Sequence, residues 1–288
     1  MKPIIKYRGG KSKEIPILTP YIPQYTGKYI EPFLGGGAMF FYLEPSNAII
    51  NDINSKLMDF YTCVQQNYTQ LKRDLSEIEQ IYTNNRIAFD ILKKKHPQER
   101  VIDENEAFYY FLRDMYNGLT PSTYSSAALY YFINKTAYSG MIRYNSKGEY
   151  NVPYGRYKNF NTGLITEEHH RLLTKTTIFT GDYTQIFEMA KADDFIFLDP
   201  PYDCIFSDYG NDEYKNGFNE QSHRKLAADF HNLGCKSLMV IGATPLTREL
   251  YRNNIIAEYG KNYSVNIRNR FQAGATHIIV TNYGNPQK

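Results

Sequence analysis

A chain of 288 residues with 42% hydrophobic and 22% charged side chains can bury a substantial core, as one large domain or a domain with an insertion, and this ordinary globular composition argues against wholesale disorder. Cys63, Cys204 and Cys235 lie far apart with no CxxC pair and no histidine at zinc spacing, which argues against a disulfide framework or a structural metal. The net charge of +3 is small, so only its distribution informs about partners. No apolar run approaches ~18 residues and no h-region opens the chain, so neither a membrane span nor a signal peptide is expected. The expectation is a soluble protein of a reducing, cytoplasmic compartment.

In chain order, the first thirteen residues hold Lys2, Lys6, Arg8, Lys11 and Lys13 with no acid. An apolar strand is predicted over Lys28–Phe33, running into Gly35-Gly36-Gly37, and a second over Asn47–Ile50, stopping at Asn51-Asp52. Leu57, Phe60, Tyr61 and Val64 then fall on one helix face, and residues 55–135 stay helical in pattern. Ser139–Arg156, rich in Gly, Asn and Tyr, predicts a β-hairpin pairing Arg143-Tyr144 with Tyr150-Asn151 around the Ser-Lys-Gly turn at 146–148. Strands are predicted over Thr177–Thr180, Phe195–Leu198, Ser237–Ile241 and His277–Asn282. Residues 203–217 read as a long mobile loop. Leu226, Phe230 and Leu233 line a helix that Asn219 could cap and Gly234 could end. Strands alternating with helices indicate an α/β fold with a mostly parallel, doubly wound sheet.

Residues 55–165 hold 14 Lys and Arg against 11 Asp and Glu, and the rest of the chain 19 against 19, so the whole excess sits in the middle. Lys135, Arg143, Lys147, Arg156 and Lys158 face only Glu149 within residues 133–160. Two such basic patches on a nearly neutral body suit a polyanion, although charge alone slightly favours a solvated loop surface.

Three constellations carry chemistry. Glu31-Pro32-Phe33-Leu34-Gly35-Gly36-Gly37-Ala38 is a strand running through glycines toward a helix, where backbone can approach a ligand closely; a plain tight turn is the alternative. It matches neither GxGxxG nor GxxxxGK[ST], so a polyphosphate is not the best reading. Asp52, about twenty residues on, is placed like the acids that accept hydrogen bonds from ribose hydroxyls, or is a turn-forming residue. Asp199-Pro200-Pro201-Tyr202 follows the strand Phe-Ile-Phe-Leu. A carboxylate and a backbone carbonyl accepting the two hydrogens of an aromatic amine favour its more nucleophilic, tetrahedral geometry. Prolines stiffen the turn and free the Pro200 carbonyl, and Tyr202 offers a stacking face for an extruded base. In-line attack on a sulfonium methyl needs orientation and no metal.

The order of these motifs resembles the Dam-like family of DNA adenine-N6 methyltransferases over nearly the whole chain. Lys6-Tyr7-Arg8-Gly9-Gly10-Lys11 is similar to the family's Lys-Trp-x-Gly-Gly-Lys opening, with Tyr7 in place of tryptophan. The resemblance implies S-adenosyl-L-methionine (AdoMet) as methyl donor, in a pocket built from Tyr7, Gly10, Lys11, Glu31, Phe33, Gly35, Gly37, Asp52, Asp182, Tyr183 and Asp199. Gly181-Asp182-Tyr183 resembles a segment lying against the donor's adenine. Asp199, Pro200, Pro201 and Tyr202 would receive the target base. The most specific likeness is Ala137-Tyr138-Ser139-Gly140-Met141-Ile142-Arg143-Tyr144-Asn145, then Gly148 and Asn151-Val152-Pro153-Tyr154-Gly155-Arg156-Tyr157. By position, Tyr138 is the wedge between base pairs and Arg143 the guanine reader or a phosphate contact. Lys6, Ser139, Met141, Asn145, Pro153 and Arg156 complete the implied DNA surface. Ser139 stands where relatives reading GATC often carry asparagine, and Ile241-Gly242-Ala243 replaces a Ser-Asn pair some of them show after the fifth strand.

These readings together predict a Rossmann-like AdoMet-dependent methyltransferase domain of residues 1–54 and 166–288, interrupted at 55–165 by a helical and β-hairpin target-recognition domain. The expected substrate is double-stranded DNA with adenine in a short site, GATC or a related palindrome, methylated at N6 after base flipping. No metal is expected. The family suggests a monomer in solution and admits a restriction endonuclease counterpart. Arg268 and Arg270, before the last strand, could touch phosphate or mark a basic hairpin tip. No two histidines suggest a triad, and none is given a role. The rivals are an AdoMet enzyme acting on RNA or a protein amide, disfavoured by the basic hairpin, and a non-catalytic DNA-binding module, disfavoured by Asp52 and Asp199.

Overall fold

A computed structural model describes residues 1–7, 9–202, 218–261 and 275–286. Arg8, the predicted 203–217 loop with Cys204, and Arg268 and Arg270 lie outside the described residues. In chain order the elements are α1 (Ile15–Leu18), β1 (Tyr29–Glu31), α2 (Ala38–Leu43), β2 (Ala48–Asp52), α3 (Ser55–Gln66), α4 (Tyr68–Lys95), α5 (Glu104–Tyr116) and α6 (Ser126–Thr136). Next come α7 (Glu167–Thr174), β3 (Thr176–Thr180), α8 (Tyr183–Met189), β4 (Phe195–Leu198), α9 (Glu220–His231), β5 (Lys236–Gly242), α10 (Pro245–Leu250), β6 (Ile255–Lys261) and β7 (Ala275–Thr281).

The seven strands form one sheet in the order β3-β2-β1-β4-β5-β7-β6. The first five run parallel; β7 is antiparallel to β5 and β6 antiparallel to β7. Strands covered on both faces need apolar side chains in both directions, which is why β4 and β5 read as nearly unbroken hydrophobic runs. Tyr29, Ile50, Phe195, Phe197, Leu238 and Val240 point into one core with α2 and α3, and Ile30, Ile49, Ile196, Leu198, Met239 and Ile241 into another with α8 and α9. The first core continues without a break into α4, α5, α6 and the following loop through Leu75, Tyr109, Phe132 and Tyr154.

The predicted α3 face is buried at Leu57, Phe60, Tyr61 and Val64, and Asn54 caps the helix by accepting the Leu57 N–H at 3.1 Å. Asn219 caps α9 in the same way, accepting the Ser222 N–H at 3.0 Å. Gly234 does not end that helix: α9 stops at His231, with Asn232 in the right-handed region as its C-cap. Strand β6 escaped the hydrophobic pattern because Glu258, Gly260 and Lys261 interrupt it, as suits an edge strand. Among the described residues no helix is long and apolar enough to cross a membrane.

Candidate active site

The chain runs outward from β1 to β2 and β3 and returns to β4 on the other side of β1. Helices cover opposite faces on the two sides of this switch point, so a crevice opens at the carboxyl ends of β1 and β4, where ligands bind in such sheets. Glu31 closes β1, and Asp199 directly follows β4. Both predicted carboxylates are thereby placed at the carboxyl ends of neighbouring strands.

The glycine loop is a tight turn and also a close approach. Gly35 and Gly37 have φ of +49° and +65°, which side chains rarely adopt. A Cβ on Gly35 would lie 2.9 Å from Tyr7 Cδ1, so the glycine gives up its side chain to seat the Tyr7 ring. Gly35 N–H donates to Asp52 Oδ2 at 2.8 Å, and Asn54 N–H donates to Oδ1 at 2.9 Å. Asp52 is therefore fixed by the turn on each oxygen. The Asn51 amide donates to the carbonyls of Pro32 and Gly181, each at 2.9 Å, tying the ends of β1, β2 and β3 together. Sequence reading passed over Asn51, whose only signal was its place beside Asp52 at a strand end.

Glu31 is 2% exposed, and burial pushes its carboxyl up to about 8. Hydrogen bonds from Tyr29 Oη at 2.6 Å and the Phe40 N–H at 3.1 Å pull the other way. The negative charges of Asp199 and Asp52 add to the upward push. An uncompensated buried acid of this kind holds its proton unless a cation arrives.

Asp199 already has one. Lys11 Nζ lies 2.6 and 2.7 Å from its two oxygens and 3.0 Å from the Gly9 carbonyl. The Lys11 side chain is only 3% exposed and Asp199 21%. The ammonium also stands 4.9 Å from the centre of the Tyr202 ring, a cation–π distance. Tyr202 rests over Gly242 and meets His277 edge to face, with ring centres 5.0 Å apart.

The other predicted donor contacts are spread along the same rim. Gly10 is exposed, its N–H bonded to the Tyr7 carbonyl at 3.3 Å. Phe33 packs on Tyr183 with ring centres 5.2 Å apart. The Tyr183 hydroxyl points away, into a 2.7 Å bond to Asp229 of α9, and Asp182 caps α8 by accepting the Thr184 N–H at 2.9 Å.

The predicted hairpin forms through single bridges rather than extended strands, pairing Tyr144 with Tyr150 and Ala137 with Tyr154. Tyr138 is 56% exposed at its base, followed by Ser139 and Gly140, both at positive φ. Pro153 is exposed and its carbonyl accepts the Tyr138 N–H at 2.9 Å. Arg143 is exposed but tethered, its Nε 2.7 Å from Asn151 Oδ1. Asn145 builds the turn: its Oδ1 accepts the N–H groups of Lys147 and Glu149, and its amide donates to the Glu149 carboxylate. Met141 is half-buried against the core, and its carbonyl accepts the Tyr150 hydroxyl at 2.6 Å. Arg156 reaches Glu106 at 3.3 Å, on the flank of α5.

Lys6 joins this surface to the crevice. Its backbone makes a reciprocal pair with the Asn134 side chain at 3.0 and 2.8 Å, and its ammonium lies 4.4 Å over Tyr157. Asn134 was invisible in the sequence because its partner is 128 positions away. His277, given no role from the sequence, is wholly buried, within 3.0 Å of Glu14 and packed on Tyr202.

Residues 7–265 match the family model described as D12 class N6 adenine-specific DNA methyltransferase. The chain is 34% identical over 291 residues to the type II methyltransferase M.CviBI of Paramecium bursaria Chlorella virus NC1A, spanning 98% of this chain and 100% of the viral protein. Identity is 33% over 249 residues with the type II methyltransferase M.MjaIII of Methanocaldococcus jannaschii, covering 81% of this chain and 80% of that one. With the retron Ec67 DNA adenine methylase of Escherichia coli it is 28% over 261 residues, or 88% and 81% of the two chains. Crevice, Asp-Pro-Pro-Tyr turn and these matches agree, and the chain belongs to the D12 class of N6 adenine-specific DNA methyltransferases.

Proposed function

We propose that this chain transfers a methyl group from AdoMet to N6 of an adenine turned out of a short duplex site, GATC or a related palindrome. The observation that carries the reading is the Lys11–Asp199 pair at the switch point: a charged acid held on the crevice wall by a surrogate amine. The residues fit the donor. A buried Glu31 that gains its charge only beside a cation suits a molecule bearing a sulfonium and an ammonium. Tyr7, Gly35 and Asp52 form one continuous wall for the adenosine. When bound, AdoMet supplies an electrophilic methyl on sulfur.

The chain's own residues then position the nucleophile. Lys11 releases Asp199 so that its oxygens can accept a hydrogen of the adenine amine, with the Pro200 carbonyl as second acceptor. The base stacks on Tyr202. As the nitrogen becomes tetrahedral its surplus proton passes toward Asp199 and then to water. Orientation of this kind is worth several orders of magnitude in rate without any metal.

On this reading residues 1–54 and 166–288 form the catalytic domain and 55–165 the recognition domain. Tyr138 wedges the duplex open, Arg143 reads guanine, and Lys6, Ser139, Met141, Pro153 and Arg156 surround them; Asn145 acts by shaping the turn. The chain works as a monomer on cytoplasmic DNA. The type II names of the viral and archaeal relatives support a restriction endonuclease counterpart. Tritium from labelled AdoMet should appear in N6-methyladenine after digestion of a duplex plasmid, and sequencing that plasmid reports the site. Label in RNA or protein instead, or none in adenine, would defeat the proposal.

A further inference from the structure

Behind the catalytic turn lies a knot of three side chains that the methyl-transfer chemistry does not itself use. Glu14 is 4% exposed and His277 is wholly buried, yet both are polar. Glu14 Oε2 accepts from His277 Nδ1 at 3.0 Å and from the Tyr259 hydroxyl, and Nδ1 also lies 3.3 Å from that hydroxyl. With Glu14 ionised the carboxylate only accepts, and the 3.0 Å contact then requires the imidazole proton on Nδ1. His277 and Tyr259 are cross-strand partners of β7 and β6, and His277 faces Gly242 of β5 on its other side.

Each end of the knot reaches the reacting acid by a different route. His277 carries the Tyr202 ring at 5.0 Å, and Gly242 lies under the same ring. Glu14 sits one turn past Lys11, its N–H bonded to the Lys11 carbonyl at 2.7 Å. Tyr202 and Lys11 both stand against Asp199. A buried, hydrogen-bonded acid–imidazole pair is costly to form and costly to break, so it holds its partners in one arrangement. It pins the N-terminal segment to the edge ribbon and thereby fixes the separation between ammonium and ring.

We propose that Glu14, His277 and Tyr259 are positioning residues for methyl transfer, setting the Lys11–Tyr202 separation within which Asp199 receives the amine. The inference rests on the methyl-transfer reading above. Wild-type labelling of adenine checks that reading, and the ratio of variant to wild type checks the inference.

The experiment measures kcat, both KM values and thermal midpoint for Tyr259→Phe, Glu14→Ala and Glu14→Gln in the full chain. Misplacement of a reacting group by about 1 Å costs about 100-fold in rate, so Glu14→Ala should lose about that in kcat and Tyr259→Phe about 10-fold. The KM values should stay within about threefold, because no substrate contact is removed. Glu14→Gln keeps an acceptor oxygen for both partners and should restore kcat to within about threefold. A folded Glu14→Ala chain with wild-type kcat overturns the proposal, as does a loss that Glu14→Gln fails to restore. Should Glu14→Ala not fold, Tyr259→Phe decides: kcat within about twofold of wild type overturns it.

Discussion

Glu31→Gln should stabilise the ligand-free chain, and increasingly so as pH rises. The side chain is fully enclosed, with its carboxyl moved from an ordinary value of 4.5 to about 8 by burial first of all. The folded chain therefore keeps this proton to higher pH than the unfolded one. Stability from this group is fully present below pH 4.5 and drains away as pH climbs through the window up to about 8. At ~1.4 kcal/mol per pH unit the deficit is roughly 2 kcal/mol at pH 6 and roughly 4 at pH 8. Glutamine keeps an acceptor for Tyr29 Oη and the Phe40 N–H but has no charge to bury. Urea unfolding of both chains without AdoMet at pH 6 and pH 8 measures the difference, and titrations shared by the two cancel. The stability gap should widen by about 2 kcal/mol between those pH values. A gap that stays constant would refute the argument that the acid is held neutral. AdoMet should narrow the gap at pH 8 if its cationic end is what Glu31 awaits.

Three further outcomes are expected. Asp199→Ala should retain AdoMet binding by calorimetry and lose methyl transfer to adenine; it also strands the buried Lys11 ammonium, at a cost of about 3 kcal/mol that Lys11→Met in the same chain should relieve without restoring transfer. Near-normal turnover of either variant would count against Asp199 as the amine acceptor. Arg143→Ala should cost about 1–3 kcal/mol at one base pair of the site, measured by competition among single-substitution duplexes. An equal loss on every duplex would make it a phosphate contact. Gly35→Ala forces a side chain into the left-handed region and against the Tyr7 ring, so it should lose about 1–2 kcal/mol of stability along with AdoMet affinity; unchanged values in denaturation and calorimetry would show that the loop relaxes freely.

What could be read from the sequence was whatever is written locally. The Phe195–Leu198 strand, the α3 face and the Asn219 cap each depend on neighbours a few positions apart, and each was found in place. Gly234 misled because a glycine after a helix suggests a left-handed cap, whereas Asn232 closes α9 without one. The arrangement of the site was less legible. The Lys11–Asp199 pair spans 188 positions and the Glu14–His277 pair 263, and nothing in either neighbourhood marks its partner. Asn145 was expected on the DNA surface, and nothing near it in the sequence showed that its side chain also closes the turn, accepting the backbone N–H groups of Lys147 and Glu149 and donating to the Glu149 carboxylate.

The strand order also has a consequence for how the chain is made. Three-residue β1 lies between β2, which follows it closely, and β4, whose partner Phe195 is 166 positions after Tyr29. During synthesis this interior strand therefore leaves the ribosome with one flank bare, and more than half of the protein must emerge before that flank is covered. Closing so long a loop is slow, so the early segment has reason to shelter against α2 and α3 until its last neighbour is translated.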